Sequence, residues 1–150
     1  MVLAPDDFAH VLRNTPLVSI DLVVRDEHGR VLLGLRLNRP AQQWWFVPGG
    51  RIFKDERIDE AFLRISRAEL GRAIPRRDAE FLGVYEHLYD DNALDIPQLS
   101  THYVVMAYEV HVDAASLDLP DDQHDRFRWM DTDAIRGDAS VHPNTRAYFP

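Results

Sequence analysis

The sequence predicts an α/β (α+β) domain in which a mixed β-sheet is sandwiched between helices. Three observations predict it. Several apolar segments alternate with period two, as strands do. Helical segments interrupt them without regular βα alternation. A Gly-Gly pair leads into an amphipathic stretch that closes on another glycine, GRIFKDERIDEAFLRISRAELG over residues 50–71. At 150 residues the chain reads as one domain, 1–150, around one core. A hydrophobic content of 45% is ordinary for a globular protein.

The elements follow in order. Residues 6–13 form a short helix with Phe8, Val11 and Leu12 on one side. After Pro16, LVSIDLVV is a strand, apolar on both faces and therefore central, with Asp21 as its odd residue. Residues 27–30 turn the chain into a second strand, VLLGLR, which completes a hairpin. QWWFVP is a short strand that ends in a turn at Gly49 and Gly50. A helix then starts near Asp55 as N-cap. Ile58, Ala61, Phe62, Ile65 and Ala68 face the core, and Gly71 takes the C′ position. EFLGVYEHL, HYVVMAYEV and FRWM are three further strands, and the polar loop DDNALDIPQLS between the first two is exposed. Residues 132–136 and 144–149 form short helices.

Composition narrows the function classes. A formal net charge of −8 excludes a general nucleic-acid binder. The sequence holds no run of ~20 apolar residues that would span a membrane. The N-terminal segment does not read as a signal peptide, so a cytoplasmic location is expected. With no cysteine, disulfides and thiolate metal sites are excluded.

Within the long helix, Glu56, Arg64 and Glu69 sit at fixed offsets between Gly50 and Gly71. A helix on a sheet holds a carboxylate rigidly beside a glycine segment whose backbone oxygens a ligand can approach. Such hard oxygen donors, with substrate phosphates, suit Mg²⁺. Glu69 is the natural carboxylate. Arg64 lies roughly 140° around the helix from it, which suits bracing Glu56 or the turn.

This spacing resembles the Nudix box, Gly-x5-Glu-x7-Arg-Glu-hydrophobic-x-Glu-Glu-x-Gly, found in hydrolases of nucleoside diphosphates joined to another group. The resemblance implies the mixed sheet and helices of that fold. Two acidic positions of the box are apolar here, Ile65 and Ala68. Further segments are TPLVSIDLVV, NRPAQ, WFVPGGR, HLYDDN, THYVV, LPDDQHDRFRW and HPNTRAYF. Together they resemble a divergent branch of the family, the GDP-mannose mannosyl hydrolases, across nearly the whole chain. That branch carries an apolar residue and alanine at the same two positions.

The resemblance implies hydrolysis of a GDP-sugar, GDP-mannose or GDP-glucose, to GDP and free sugar. Water attacks the anomeric carbon with inversion and needs Mg²⁺, for which Mn²⁺ can substitute. It implies Gly49 (by its carbonyl), Glu69 and Gln123 as metal ligands and His124 as general base. Arg36, Arg51 and Tyr103 would contact the diphosphate, and Asp21 and His87 would line the sugar or base pocket. Taken singly, each of these is an ordinary surface or core residue, and only the joint pattern carries the reading. Leu35 stands where the resemblance has lysine. A homodimer is implied as well, supported by tryptophan-rich segments that one small domain leaves partly open. Two alternatives remain: a pyrophosphohydrolase releasing nucleoside monophosphate and sugar 1-phosphate, and a non-catalytic nucleotide-sugar binder.

Overall fold

The computed structural model describes residues 2–120 and 126–150. Helix α1 (Pro5–Asn14) leads into β1 (Leu17–Arg25), β2 (Val31–Leu35), β3 (Trp45–Phe46) and β4 (Gly49–Arg51). Helix α2 (Ile58–Leu70), β5 (Glu80–Tyr89) and β6 (Thr101–His111) follow, then β7 (Phe127–Met130), α3 (Thr132–Gly137) and α4 (Pro143–Arg146). Among the described residues the strands form one mixed sheet in the order β3-β2-β1-β6-β5, with β4 paired to β1 and β7 to β2. β1 runs parallel to β6 and antiparallel to β2 and β4.

The central place of β1 follows from its two apolar faces. Ile20, Leu22 and Val24 join Phe62, Ile65 and Leu70 of α2 in one core cluster. Val23 joins Ile135, Val141, Tyr148 and Phe149 from the C-terminal helices and segment in the other. The sheet is thus covered on both sides around the middle of β1, and no exposed edge remains along that strand. No described helix is long and apolar enough to cross a membrane.

Five expectations are corrected in detail. Asp55 does not cap α2. It lies in a turn at φ 67°, and the helix begins three residues later, where Glu60 accepts a hydrogen bond from the Arg57 N–H at 2.9 Å. The intervening Glu56 is taken by Arg64. Ala68 is exposed, not core-facing. At about 100° per residue it falls roughly 110° from the centre of the stripe formed by Ala61, Phe62, Ile65, Ser66 and Leu70. Gly49 and Gly50 do not make a turn; they belong to a strand in register with Asp21 and Ile20. The last helix stops at Arg146, and Tyr148 and Phe149 tuck back into the core. Asn92, in the polar loop, is buried: its amide donates to the carbonyls of Ile96 and Leu99 (both 2.8 Å) and its oxygen accepts from the N–H of Leu94 and Ile96.

Gly71 ends α2 as expected. Its φ of 69° is left-handed, and a Cβ there would collide with the Asp118 carbonyl. Leu70 O accepts the Asp118 N–H at 2.9 Å, tying the end of α2 to the segment before residues 121–125.

Candidate active site

β4 determines how the site is built. Leu22 N donates to Pro48 O at 2.9 Å and Ile52 N to Val18 O at 2.8 Å. By the alternation of an antiparallel ladder, Ile20 and Gly50 exchange hydrogen bonds, whereas Asp21–Gly49 and Ser19–Arg51 are non-hydrogen-bonded pairs. Two results follow. The Gly49 and Arg51 carbonyls point away from β1, along the open edge of β4. And the side chains at 21 and 49 are at their closest approach, so a Cβ at Gly49 would strike the Asp21 carboxylate and the Ile20 carbonyl. Glycine at 49 is required by this approach, not by an unusual φ.

Helix α2 lies along that open edge. Arg64 Nη2 donates to the Arg51 carbonyl at 2.7 Å, while its Nε and Nη2 grip both Glu56 oxygens at 2.7 and 2.9 Å. Glu56 also accepts the Phe53 N–H at 3.0 Å, and Arg64 stacks 3.7 Å over the Phe53 ring. The Arg64 hydrogen bonds hold the Glu56 carboxyl below its usual range. Bracing by Arg64, expected from the helix angle, therefore reaches both Glu56 and the backbone of β4.

Five residues on from Arg64, Glu69 falls near the centre of the apolar stripe by helical angle. Ile65 lies against Gly50, so this apolar position of the box is filled by packing, and Ala68 carries no polar atom. Glu69 thus enters the interior alone. Five helical residues advance ~7.5 Å and two strand residues ~6.7 Å, which brings Glu69 level with the Gly49 carbonyl. Both line one cleft together with Leu35, Arg36, Asn38, Arg126 and Phe127.

A second cleft of about 180 Å³ adjoins it and shares Arg36, Phe46, Val47 and Gly49. Asp21, Arg51, His87, Tyr89 and Tyr103 complete its wall. His87 and Tyr103 are cross-strand partners on β5 and β6, and β6 is the parallel neighbour of β1. Arg36 is held by donation from Nε to the Pro40 carbonyl (2.7 Å) and lies 5.6 Å over the Phe46 ring. The structure thus gathers Asp21, Arg36, Gly49, Arg51, Glu69, His87 and Tyr103 in two connected clefts. Gln123 and His124 lie outside the described residues. Among the described residues no group of three His, Asp or Glu side chains is placed to hold a metal. The outward Gly49 carbonyl and the Glu69 carboxylate are nonetheless hard oxygen donors facing one cleft, and they fit a cation of the Mg²⁺ type that keeps several ligands from water or phosphate.

Burial dominates the electrostatics. It raises Asp21 to about 6, against the Tyr148 hydrogen bond and the Arg36 charge. It raises Glu69 to about 7, opposed by Arg36 and assisted by Asp21. It lowers His87 to about 4, with His142 adding to the shift, and raises the Tyr103 hydroxyl. Sequence reasoning missed Tyr148, whose hydroxyl donates to Asp21 Oδ2 at 2.6 Å. The available signal was Asp21 itself, since a carboxylate in an apolar strand demands a buried donor. His142, which the sequence left unassigned, accepts the Asn144 N–H at 3.0 Å and stacks on Phe46.

These shifts set a pH dependence for the metal-free protein. Asp21 and Glu69 hold their protons in the fold above the pH at which they lose them in the unfolded chain, so their contribution to stability falls as pH rises from about 4 to about 7, while His87 and His142, lowered to about 4 by burial, contribute in the opposite sense from about 4 to about 6.5. Asp21→Asn removes its share. The substitution is expected to stabilise the protein by about 1–3 kcal/mol at pH 8 and to leave it unchanged at pH 4. Denaturant melts in a chelator at the two pH values measure this; the same increment at both would contradict it.

Comparison with known proteins agrees with this architecture. The family model of the NUDIX domain matches residues 15–150. Over 124 residues the chain is 42% identical to the low-salt glycan biosynthesis protein Agl8 of Haloferax volcanii, a match covering 82% of this chain and 76% of that protein. A MutT NUDIX hydrolase from Burkholderia pseudomallei superposes with a TM-score of 0.68 at 26% identity, over 91% of this chain and 97% of that one. The MutT protein from Methanosarcina mazei Go1 shares the fold at a TM-score of 0.70 and 20% identity, over 91% and 92% of the two chains. With the box helix, the mixed sheet and a family match that spans nearly its whole length, this chain belongs to the Nudix hydrolase family.

Proposed function

We propose that this chain hydrolyses a GDP-sugar, GDP-mannose or GDP-glucose, to GDP and free sugar by water attack at the anomeric carbon with inversion. One observation carries the reading. α2 sends a single carboxylate, Glu69, toward the clefts, where the Nudix box would add acids at positions 65 and 68; here those are a packed isoleucine and an exposed alanine. Attack on phosphorus assisted by several metals calls for a cluster of carboxylates. Displacement at a glycosyl carbon calls for one base and a stabilised leaving group. The likeness to a glycan biosynthesis protein supports a nucleotide-sugar substrate.

In this reading the Gly49 carbonyl, Glu69 and Gln123 hold Mg²⁺, or Mn²⁺ in its place. The ion would supply charge neutralisation to the departing diphosphate. Arg36, Arg51 and Tyr103 donate to the diphosphate oxygens as the carbon–oxygen bond breaks and negative charge collects on GDP. Asp21 and His87 accept hydrogen bonds from the sugar. His124 takes the proton of the attacking water, a role that suits the ordinary histidine range near 6.5. The working form is a cytoplasmic homodimer. Val18, Val84 and Leu88, exposed on the α2 side of the sheet where the helix does not cover it, support self-association, and a light-scattering mass of one chain would contradict it.

Release of sugar from GDP-mannose, followed in two variants, tests the assignments. His124→Ala is expected to lower kcat by about 10²–10⁴-fold with little effect on KM. Glu69→Gln is expected to raise the Mg²⁺ concentration needed for half-maximal activity. Unchanged turnover in the first would remove His124 as base, and an unchanged metal requirement in the second would remove Glu69 as ligand.

A further inference from the structure

We propose that Tyr148 is a positioning residue that fixes the hydrogen-bonding roles of both Asp21 and His87. Its hydroxyl lies 2.6 Å from Asp21 Oδ2 and 3.4 Å from His87 Nε2, so it bridges two cleft residues that come from different strands. The bridge is buried. Tyr148 and His87 are 8% and 5% exposed, and Tyr85 packs edge-on to the Tyr148 ring at 4.8 Å.

The assignment follows from counting protons. A tyrosine hydroxyl has one hydrogen to donate. The short, charge-assisted bond to the carboxylate takes it. Toward His87 the same oxygen can only accept, so the 3.4 Å contact is a hydrogen bond only in the tautomer with the hydrogen on Nε2. Burial keeps the imidazole neutral above about pH 4, and a neutral ring protonated at Nε2 has Nδ1 as its acceptor. The chain of donation therefore runs His87 to Tyr148 to Asp21. It ends on a carboxylate whose other oxygen, Oδ1, sits beside Gly49.

The consequence is a matched pair of acceptors. Asp21 Oδ1 and His87 Nδ1 both call for a donor, and the ligand chemistry that supplies donors in pairs is a hydroxyl-bearing ring. In its use by substrate this inference rests on the function proposed above; the tautomer itself does not. Without the bridge, Asp21 loses its buried donor and His87 is free to exchange tautomers, which would turn Nδ1 from an acceptor into a donor.

Nitrogen-15 spectra of labelled histidine, recorded on the metal-free protein at pH 8 without substrate, give the direct test, with the His87 signals assigned by their loss in His87→Gln. The wild-type protein is expected to show His87 protonated at Nε2 with an unprotonated Nδ1. Tyr148→Phe, which keeps the packing ring, is expected to shift that pattern toward the other tautomer and to lower kcat/KM for the GDP-sugar by up to about 100-fold, the scale of a misplaced group. A wild-type His87 protonated at Nδ1, or a Tyr148→Phe spectrum identical to wild type, would overturn the proposal. Because the spectra need no turnover, a wild-type protein that releases no sugar would overturn the functional reading and leave the tautomer result to decide this one.

Discussion

The close seat of β4 against β1 is the contact on which the site depends. Three residues of strand pair with Ser19, Ile20 and Asp21, and only glycine at 49 lets the Asp21 carboxylate lie alongside. The same pairing turns the Gly49 and Arg51 carbonyls outward. Arg64 takes the second of these, and in doing so it fixes α2 along the edge of the sheet. Glu69 and Gly49 then meet in one cleft without further instruction. Removing the glycine would push Asp21 aside, and removing Arg64 would strip the Arg51 carbonyl and the Glu56 carboxylate of its guanidinium hydrogen bonds.

Electrostatics gives this arrangement its direction. Asp21 and Glu69 are each raised by burial, and each feels Arg36 as the counter-charge. One guanidinium, tied to the Pro40 carbonyl, serves two half-buried acids. The interior around them is therefore short of positive charge when both are ionised. A divalent cation at Glu69 would meet that deficit, and an anionic ligand would restore it only where Arg36 and Arg51 face the cleft. The acidic balance of the whole chain gives no field that draws anions in, so affinity must come from these local groups.

Much of the fold was legible because it rests on periodicity. The two apolar faces of β1 announced a central strand, and Gly71 announced the end of α2. Boundaries set by side-chain competition were not legible. Asp55 looks like an N-cap, but Glu56 is claimed by Arg64, so the helix starts later. The Gly49–Gly50 pair looks like a turn because glycine is common there, yet here it answers a steric approach visible only across strands. In the site, the spacing of Glu56, Arg64 and Glu69 pointed to the helix, and the wider resemblance pointed to Arg36, Arg51, His87 and Tyr103. Tyr148 lies in the resembling segment HPNTRAYF, but that segment assigned it no role. It reaches Asp21 from 127 positions away in sequence, and only the fold reveals a donor so distant.

The central claim concerns which bond breaks. GDP-mannose turned over with Mg²⁺ in ¹⁸O-labelled water, with products read by mass spectrometry, tests it most directly. The account predicts free mannose carrying the label and unlabelled GDP. GMP and mannose 1-phosphate, with the label on either phosphate, would contradict it and would place the attack on phosphorus.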